Sequence, residues 1–268
     1  MRKTPVLEPD ISNILPPALY IVATPIGDPN DLSDRAKRIL RDCDLILSED
    51  TRITRQLLKK FDIKTRLISF NANSENGKAP WALELISKGH ALALVSDAGT
   101  PGISDPGRKV VDLALNQQIN VISIPGPSAL TAALSVSGFP ASRSLFIGFL
   151  PTRRSARVES LRKALAHEGT LILFEAPHRI PDLASSLDKM ADGRKIAIVK
   201  ELTKQFEYLV RLEAGHFQDW IEENPDRIRG EFVVLIGPRS IKKPQMDLDV
   251  DHLLIVLGRE LPPSKAAA

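Results

Sequence analysis

The 268-residue sequence predicts an α/β fold, and three of its features support that prediction. Short apolar runs of strand length alternate with segments whose apolar residues recur at helical spacing. Several of these runs are continuous, which is typical of strands buried on both faces of a parallel sheet. Polar loops rich in glycine and proline follow many of the runs. The alternation therefore predicts βα units, a mainly parallel sheet and right-handed crossover connections.

Five strands are predicted in the first half of the chain, with helical segments between them. These strands cover 19–23, 45–47, 66–69, 91–95 and 121–124. Asp31 or Ser33 is expected to cap the first helix, and further helices are expected at 81–87, after 107 and at 128–137. The last of these helices is rich in small residues, which predicts close packing against another element.

The second half repeats the alternation after a Gly-Phe-Pro break at 138–140, where we place a domain junction. Its predicted strands cover 145–147, 171–174, 195–199, 208–212 and 232–236. Its predicted helices are a long basic one after 151 to about 167, one at 180–190 and one near 216–223. We therefore predict a lead-in (1–17), an N-terminal α/β domain (18–126), a junction helix and linker (127–143), a C-terminal α/β domain (144–239), and a linker with the start of a helix (240–268).

The composition is that of an ordinary globular protein, with 43% hydrophobic and 26% charged residues. No run of 18 apolar residues predicts a membrane span, and we expect no secretory signal because the basic start lacks an apolar segment. Cys43 is the single cysteine, so we expect neither an internal disulfide nor a cysteine-built zinc site. We interpret it as a small core residue. These features together predict a cytoplasmic protein.

The loop after the fourth predicted strand, SDAGTPGISDPG at 96–107, is the most informative segment. Its three glycines permit unusual backbone angles, and its two prolines stiffen the path between them. In open α/β sheets, ligands bind beyond the carboxyl ends of the strands, where such loops lie. A single loop of this kind is often an ordinary turn. Polar loops also follow other strands, at 24–28, 48–52, 175–179 and 200–204, so we predict that the five converge on one cleft.

Motifs of several other chemistries are absent from the sequence. The first strand is not followed by GxGxxG, and there is no GxxxxGK[ST], which leaves nicotinamide, flavin and P-loop nucleotide sites unsupported. There is also no GxSxG, no HExxH and no Cys/His spacing for a metal, so no metal site is predicted. His178 is the only histidine in one of the polar loops, and a lone histidine there is most simply a structural residue.

The formal net charge of +3 is small, but the basic residues are clustered. Six lie at 52–66 against one acidic residue, and five lie at 151–163 against one. A solvated helix face explains each cluster about as well as phosphate contacts do. Because both clusters lie beside polar loops, we favour a polyanionic substrate. The candidate RNA contacts are Arg55, Lys59, Arg153, Arg154, Arg157, His178 and Arg179.

Eight segments occur in one order along the chain: TPIGDPNDLSDRA, SEDTR, SDAGTPGISDPG, PGPSALTAAL, GFLP, FEAPHRI, KELTK and RGEFVVLIG. This series, over about 19–238, resembles the ribosomal RNA small-subunit methyltransferase I family of the tetrapyrrole methylase-like (class III) superfamily. The resemblance implies two α/β domains with a cofactor cleft between them. It implies a homodimer that uses S-adenosylmethionine to methylate the 2′-oxygen of a cytidine in 16S ribosomal RNA, part of an assembled small subunit.

The resemblance also implies a cofactor site and a further segment. The family usually continues into a small helical tail, so 240–268 is expected to hold a truncated start of it. The first turn, TPIGDP, departs from the glycine-rich turn of the superfamily, so this turn could face either cofactor or RNA. The implied cofactor-binding residues are Pro25, Asp97, Gly99, Thr100, Ile103, Ser104, Ser128, Ala129, Phe149, Leu150, Glu231 and Phe232.

Methyl transfer to a hydroxyl requires in-line placement of the oxygen, and a base within hydrogen-bond reach assists it. Asp50 is the first candidate base, because related enzymes keep an acidic residue in the loop after the second strand. Glu49 is the second candidate, and Arg52 could hold a phosphate beside the target ribose. Capping of the following helix explains both acidic residues equally well.

Two other functions are compatible with the same sequence. In the first, a methyltransferase of this fold acts on a tetrapyrrole or a modified protein side chain. In the second, the chain is a non-catalytic RNA-binding assembly module. The two basic clusters favour RNA over a single small substrate, because phosphate contacts require several cations.

Overall fold

The computed structural model describes residues 15–191 and 193–239. Most of the predicted lead-in and the predicted segment 240–268 lie outside the described residues. Both sheets belong to one compact unit that ends at Pro238, and the domain division predicted at 127–143 stays a prediction. Within the described ranges, every helix is too short or too polar to cross a membrane.

The first sheet is parallel throughout, as predicted. Its strand order is β3-β2-β4-β1-β5, and every neighbouring pair runs in the same direction. The central strand β4 is buried at all five positions, which explains its continuous apolar sequence. The strands are β1 (Ala18–Val22), β2 (Leu45–Ser48), β3 (Leu67–Ser69), β4 (Ala91–Val95) and β5 (Val121–Ile124).

Helices cover both faces of this sheet, because side chains along each strand point alternately to the two sides. In β1, Tyr20 packs into one apolar cluster and Leu19 into the cluster on the opposite face. Cys43 is buried in the first cluster, as predicted. The helices of this half are α1 (Asp34–Asp42), α2 (Thr51–Lys60), α3 (Glu75–Ser87), α4 (Arg108–Asn116) and α5 (Ala129–Ser137).

Two helix starts refine the predictions. Ser33 caps α1, since its Oγ accepts a hydrogen bond from the Ala36 N–H at 3.1 Å. Helix α3 begins at Glu75, six residues earlier than predicted. Proline is usually excluded from helix interiors, yet Pro80 lies within the second turn of α3.

The second sheet is mixed, so the prediction of a mainly parallel sheet is wrong for this half. Its strand order is β6-β7-β10-β8-β9, and only β6 and β7 are parallel. The connection between β8 and β9 is a short loop, which suits a hairpin and cannot hold a crossover helix. The strands are β6 (Ser144–Phe149), β7 (Thr170–Glu175), β8 (Lys195–Lys200), β9 (Tyr208–Glu213) and β10 (Phe232–Ile236).

One face of the second sheet packs against α6 (Arg154–Leu165), α7 (Ile180–Met190) and α8 (Phe217–Glu222). Its other face packs against α5, whose small residues allow the close approach that the sequence predicted. Ile26, from the loop after β1, lies in this same apolar cluster. Gly27 lies so close to the loop after β8 that a Cβ atom would come within 2.5 Å of the Thr203 hydroxyl. These contacts bring the strand ends of the two sheets together.

Candidate active site

A cavity of about 410 Å³ lies where the loops of the two sheets meet. Each of the five polar loops singled out in the sequence supplies at least one residue to its lining, so they converge as predicted. The walls are largely apolar, with carboxylates placed among the apolar side chains. The larger apolar side chains of the lining are those of Ile26, Ile103, Phe149, Phe174, Val199, Leu202, Phe232 and Val233.

The structure brings ten of the twelve predicted cofactor residues to this cavity. Pro25 and Leu150 do not line it. Leu150 is buried in the apolar core of the second sheet, where its carbonyl accepts a hydrogen bond from Arg179 at 2.7 Å. The ten that line the cavity are Asp97, Gly99, Thr100, Ile103, Ser104, Ser128, Ala129, Phe149, Glu231 and Phe232. Their role as cofactor ligands stays a prediction.

The long loop at 96–107 is held in one shape by contacts at both ends. At its start, Gly99 and Thr24 exchange two backbone hydrogen bonds of 3.0 and 2.8 Å. Near its end, the Gly102 N–H donates to the Pro106 carbonyl at 3.1 Å. Gly107 has a φ of 129°, and a Cβ atom there would lie 2.8 Å from Leu94 Cδ2, so only glycine fits.

Glu75 anchors the far end of this loop, and sequence reasoning missed it. Its Oε1 accepts hydrogen bonds from the N–H groups of Gly107, Lys109 and Val110 at 3.2, 3.0 and 3.1 Å. The residue is 5% exposed. Glu75 therefore caps α4 from a neighbouring helix, in place of the side chain that a local N-cap residue would supply.

The cavity is strongly acidic. Among its described lining residues there are five carboxylates and no lysine, arginine or histidine. Burial raises the pKa of Glu49, Asp97 and Glu175 above their ordinary values. Such a site favours a ligand that carries positive charge. The five carboxylates are those of Glu49, Asp97, Asp105, Glu175 and Glu231.

Asp105 has the most clearly shifted carboxyl group of the five. Burial raises its pKa to about 6, with help from the neighbouring Glu49 carboxylate, while a hydrogen bond from the Ser96 hydroxyl acts in the opposite direction. The sequence analysis did not select Asp105, although it lies inside the SDAGTPGISDPG motif. Its position in that motif could have indicated Asp105 as a candidate site residue.

Glu175 is a second lining residue that sequence reasoning missed. Its side chain is fully buried, and Oε1 lies 3.1 Å from the Arg179 guanidinium. Its other oxygen, Oε2, has no hydrogen-bond partner among the described residues. A bound molecule with a hydrogen-bond donor would satisfy this oxygen.

Asp50, the first candidate base, is not among the residues that line the cavity. It is the N-cap of α2, and its Oδ1 accepts a hydrogen bond from the Arg52 N–H at 2.8 Å. Its Oδ2 lies 2.6 Å from the exposed Arg52 guanidinium, which lowers the pKa of Asp50 to about 2. The geometry is thus that of the capping alternative, and Glu49 is the neighbour that lines the cavity.

The candidate RNA contacts fall into two groups. Arg55 and Lys59 on α2, Arg153 and Arg154 at the start of α6, and His178 are exposed. Arg157 is 4% exposed and pairs with the exposed Asp182 carboxylate, so its predicted role as a phosphate contact is corrected to that of a buried guanidinium in an ion pair within the protein. Arg179 is largely buried and binds the carbonyls of Leu150 and Pro151 beside Glu175.

Comparison with known proteins agrees with this arrangement. The sequence model of the tetrapyrrole (corrin/porphyrin) methylases matches residues 18–218. The solved structure of uroporphyrin-III C-methyltransferase from Thermus thermophilus, complexed with S-adenosylhomocysteine, superposes with a TM-score of 0.56 and 18% identity. It covers 82% of this chain and 97% of that one, and at this identity the likeness shows the fold.

Two curated relatives are much more similar in sequence. The ribosomal RNA small subunit methyltransferase I of Mesorhizobium japonicum is 40% identical over 259 residues, which cover 95% of this chain and 86% of that protein. The protein of the same name from Xylella fastidiosa is 43% identical over 254 residues, which cover 94% of this chain and 93% of that protein. The chain therefore belongs to the ribosomal RNA small subunit methyltransferase I family, within the tetrapyrrole methylase fold.

Proposed function

We propose that this protein transfers a methyl group from S-adenosylmethionine to the 2′-oxygen of a cytidine ribose in 16S ribosomal RNA. The observation that carries the proposal is an acidic and apolar cavity, lined by loops from both sheets, in a chain of this family. The names of the relatives specify small-subunit ribosomal RNA, which favours RNA over a tetrapyrrole or a protein side chain. The cytidine and the 2′-oxygen rest on the family resemblance.

The lining residues fit the cofactor chemically. The volume of about 410 Å³ lies within the usual range for small-molecule sites. Ile103, Phe149 and Phe174 offer apolar surface for an adenine ring, and the carboxylates stabilise the positive charge of a sulfonium. The unpartnered Oε2 of Glu175 accepts a hydrogen bond from a ligand hydroxyl or amino group. Bound there, S-adenosylmethionine supplies an electrophilic methyl group.

The residues of this chain then contribute mainly positioning. The bonds between Gly99 and Thr24, and those from Glu75 to the start of α4, fix the loop that faces the cavity. A fixed loop holds the reacting groups in line, which supplies a large part of the rate acceleration in a displacement. The apolar walls exclude water, which would otherwise compete with the ribose hydroxyl for the methyl group.

The exposed cations of α2 and α6 are proposed to hold the RNA backbone. Arg55, Lys59, Arg153 and Arg154 each place a charge in solvent, where it is free to contact phosphate. Binding to small-subunit RNA should then weaken steeply with salt, because each phosphate contact releases a counterion. Charge reversal at Arg55 and Lys59 should make the RNA affinity depend less steeply on salt concentration. Charge reversal at the buried Arg157 should instead destabilise the packing of α6 against α7, because it breaks the ion pair with Asp182.

The test is a map of ribose methylation on small-subunit RNA, offered both free and in assembled subunits, with labelled S-adenosylmethionine. We expect one new 2′-O-methylated cytidine that depends on the protein. Label on a base, label on an offered tetrapyrrole instead of RNA, or RNA binding without any transfer would each overturn the proposal. The last result would support the assembly-module alternative.

The family resemblance also implies a homodimer and a cytoplasmic location, and we propose both. A cytoplasmic location follows from the proposed substrate, since ribosomal subunits are found there. Sedimentation of the purified protein tests the dimer, which predicts a mass near twice 29.5 kDa.

A further inference from the structure

We propose that Thr203 and Lys204 are positioning residues for methyl transfer, which hold the two walls of the cavity at a fixed separation. This inference rests on the proposed function and concerns the loop between β8 and β9 at 201–207, which we name the clamp loop. One wall of the cavity comes from loops of the first sheet and the other from loops of the second. A ligand bound between them is held in line with its reaction partner only while the walls keep their positions.

Thr203 links the clamp loop to the first sheet. Its Oγ1 accepts a hydrogen bond from the Asp28 N–H at 3.0 Å, across 175 positions of the chain. Beside this bond, an added Cβ at Gly27 would come within 2.5 Å of the Thr203 hydroxyl and 2.7 Å of the Leu202 carbonyl oxygen. Ile26 and Leu202 both line the cavity. The contact therefore lies directly beside a lining residue of each wall.

The first wall continues from this contact to the long loop at 96–107. Thr24, at the other end of the loop after β1, exchanges two backbone hydrogen bonds with Gly99, and Gly99 lines the cavity. The loop after β1 is thus bound to the clamp loop at one end and to the long loop at the other. A displacement at Asp28 would therefore be transmitted to the loop that faces the cavity.

Lys204 links the clamp loop to the start of β10 in the second sheet. Its ammonium lies 3.0 Å from Glu201 Oε1 and 3.1 Å from Glu231 Oε2. The same Glu201 oxygen accepts the Glu231 N–H at 2.8 Å, and Glu231 lines the cavity. Burial alone would lower the pKa of Lys204, but its hydrogen bonds to Glu201 and Glu231 outweigh burial and raise the pKa, so the ammonium stays charged.

The backbone of the clamp loop is strained at two of the residues that make these bonds. Glu201 has a φ of 54° and Thr203 a φ of 61°, left-handed values that glycine adopts readily and other residues rarely do. Glycine would relieve the strain of a simple hairpin connection, but it would lack the Glu201 carboxylate and the Thr203 hydroxyl. Such strain persists only where the surrounding contacts impose it, and it is found mainly at functional sites.

The decisive variant is Thr203→Val, which keeps the shape of the side chain and removes the acceptor of the Asp28 N–H. A misplacement of about 1 Å can cost about 10²-fold, so we expect kcat to fall about 10- to 100-fold. S-adenosylhomocysteine should bind at least about tenfold more weakly by calorimetry. Thr203→Ser keeps the acceptor oxygen and should recover both values to within about threefold of wild type. A role confined to stability would leave the affinity and kcat of the folded protein unchanged.

Thr65→Val is the matched control. The Thr65 hydroxyl donates to the Arg41 carbonyl at 3.2 Å, just before β3, so it lies at the edge of the first sheet opposite to the strand ends that carry the cavity. Its variant also removes one side-chain hydrogen bond, and we expect wild-type affinity and kcat. Losses in Thr65→Val as large as those in Thr203→Val would overturn the proposal.

Gly27→Ala tests the same contact from the first sheet. The added methyl group has no room beside the clamp loop, so it forces the two walls apart. We expect S-adenosylhomocysteine to bind as weakly as it does to Thr203→Val. Gly77→Ala is the control, because an added Cβ at Gly77 of α3 has no atom within 4 Å, and it should bind as the wild type does.

Amide hydrogen exchange gives a measurement that requires neither ligand nor turnover. The Asp28 N–H should exchange slowly in wild type and in Thr203→Ser, and at least about tenfold faster in Thr203→Val, because its acceptor is then missing. Slow exchange of this N–H in Thr203→Val would overturn the proposal. Affinity and kcat within about threefold of wild type in Thr203→Val would overturn it as well.

If Thr203→Val fails to fold, Lys204→Met and Lys204→Arg decide. Loss of S-adenosylhomocysteine affinity in folded Lys204→Met, with recovery in Lys204→Arg, supports the proposal, because arginine can still bind both carboxylates. Wild-type affinity in Lys204→Met would overturn it. A wild-type protein that binds S-adenosylhomocysteine but methylates no RNA would refute the proposed function, a result distinct from a loss of affinity confined to the variants.

Discussion

The loops after β2 and β4 of the first sheet have similar sequence features, but their aspartates have different roles. Each follows a buried parallel strand, carries an aspartate and leads into a helix: Asp50 precedes α2, and Asp105 precedes α4. In the short loop, Asp50 caps its own helix and binds Arg52, and its pKa is about 2. In the long loop, Glu75 caps the helix, and Asp105 faces the cavity with a pKa of about 6. An aspartate in such a loop thus lines the cavity where another residue caps its helix.

The largest expected loss of stability comes from removing Glu75, which caps α4 from helix α3. Glu75→Ala leaves three N–H groups at the start of α4 without their acceptor, and each unsatisfied buried donor costs about 1–3 kcal/mol. We expect the free energy of unfolding to fall by about 3 kcal/mol, as measured by urea denaturation. Glu75→Gln keeps an acceptor oxygen and should lose less than half of that.

Glu84→Ala is the matched control for Glu75, because it lies on the same helix and pairs with Lys88 in solvent. Exposed pairs of this kind contribute little to stability, because solvent screens the charges. Equal losses in Glu75→Ala and Glu84→Ala would mean that the long loop is not anchored by Glu75, and the contrast between the two loops would disappear.

The second effect tests the shape of the long loop. Gly107→Ala forces a side chain onto a φ of 129° and brings its Cβ to 2.8 Å from Leu94. Backbone strain of this kind costs of order 1–3 kcal/mol, and the contact with Leu94 adds to it. Gly89→Ala is the control, since Gly89 has a φ of 99° but no atom within 4 Å of an added Cβ.

We expect both glycine variants to unfold at lower urea concentration, with Gly107→Ala the less stable by about 1 kcal/mol or more. Calorimetry should show weaker S-adenosylmethionine binding for Gly107→Ala alone, because only that substitution displaces the loop at the cavity. Unchanged cofactor affinity in Gly107→Ala would show that the loop does not position the ligand.

Much of the fold could be predicted from the sequence because the strands are continuous apolar runs. All ten predicted strands exist, and their bounds differ by no more than two residues from those predicted. The strand pairing of the second sheet could not be predicted in this way. There, β10 runs antiparallel between β7 and β8, a position set by contacts between segments far apart in the chain.

The site was predictable to the extent that its residues lie in motif-bearing loops after strands. Glu75 was not, because it lies in a helix and acts on N–H groups more than thirty residues away. Arg157 belongs to a basic cluster that suggests an exposed face, yet its own side chain is buried and pairs with the Asp182 carboxylate of α7. The roles of Glu75 and Arg157 both depend on how helices pack against each other, which the local sequence does not indicate.

A third prediction concerns stability at the long loop. The pKa of Asp105 is raised from 3.8 to about 6 in the folded state, so the folded protein is penalised once this carboxyl ionises. The stability associated with its protonated form is complete below about pH 4 and is lost as the pH rises through 6. Asp105→Asn should therefore melt a few degrees above wild type at pH 7.5, with no difference at pH 4. A lower Tm at pH 7.5 would contradict this prediction.

The smallest expected effect is a decrease in Tm on substitution of Asp50 in the short loop, opposite to the increase expected for Asp105→Asn. The pKa of Asp50 is lowered from 3.8 to about 2, chiefly by the Arg52 guanidinium, so its ionised form stabilises the fold above pH 4. Asparagine caps helices as well as aspartate does but carries no charge, so Asp50→Asn removes the attraction to Arg52 alone. We expect a Tm one or two degrees below wild type at pH 7.5, since the pair is exposed, and a methyl-transfer rate within a few-fold of wild type. The difference in Tm should shrink as the pH falls from 4 toward 2 and as salt is added. A loss of rate of about a hundredfold or more would instead support Asp50 as the base.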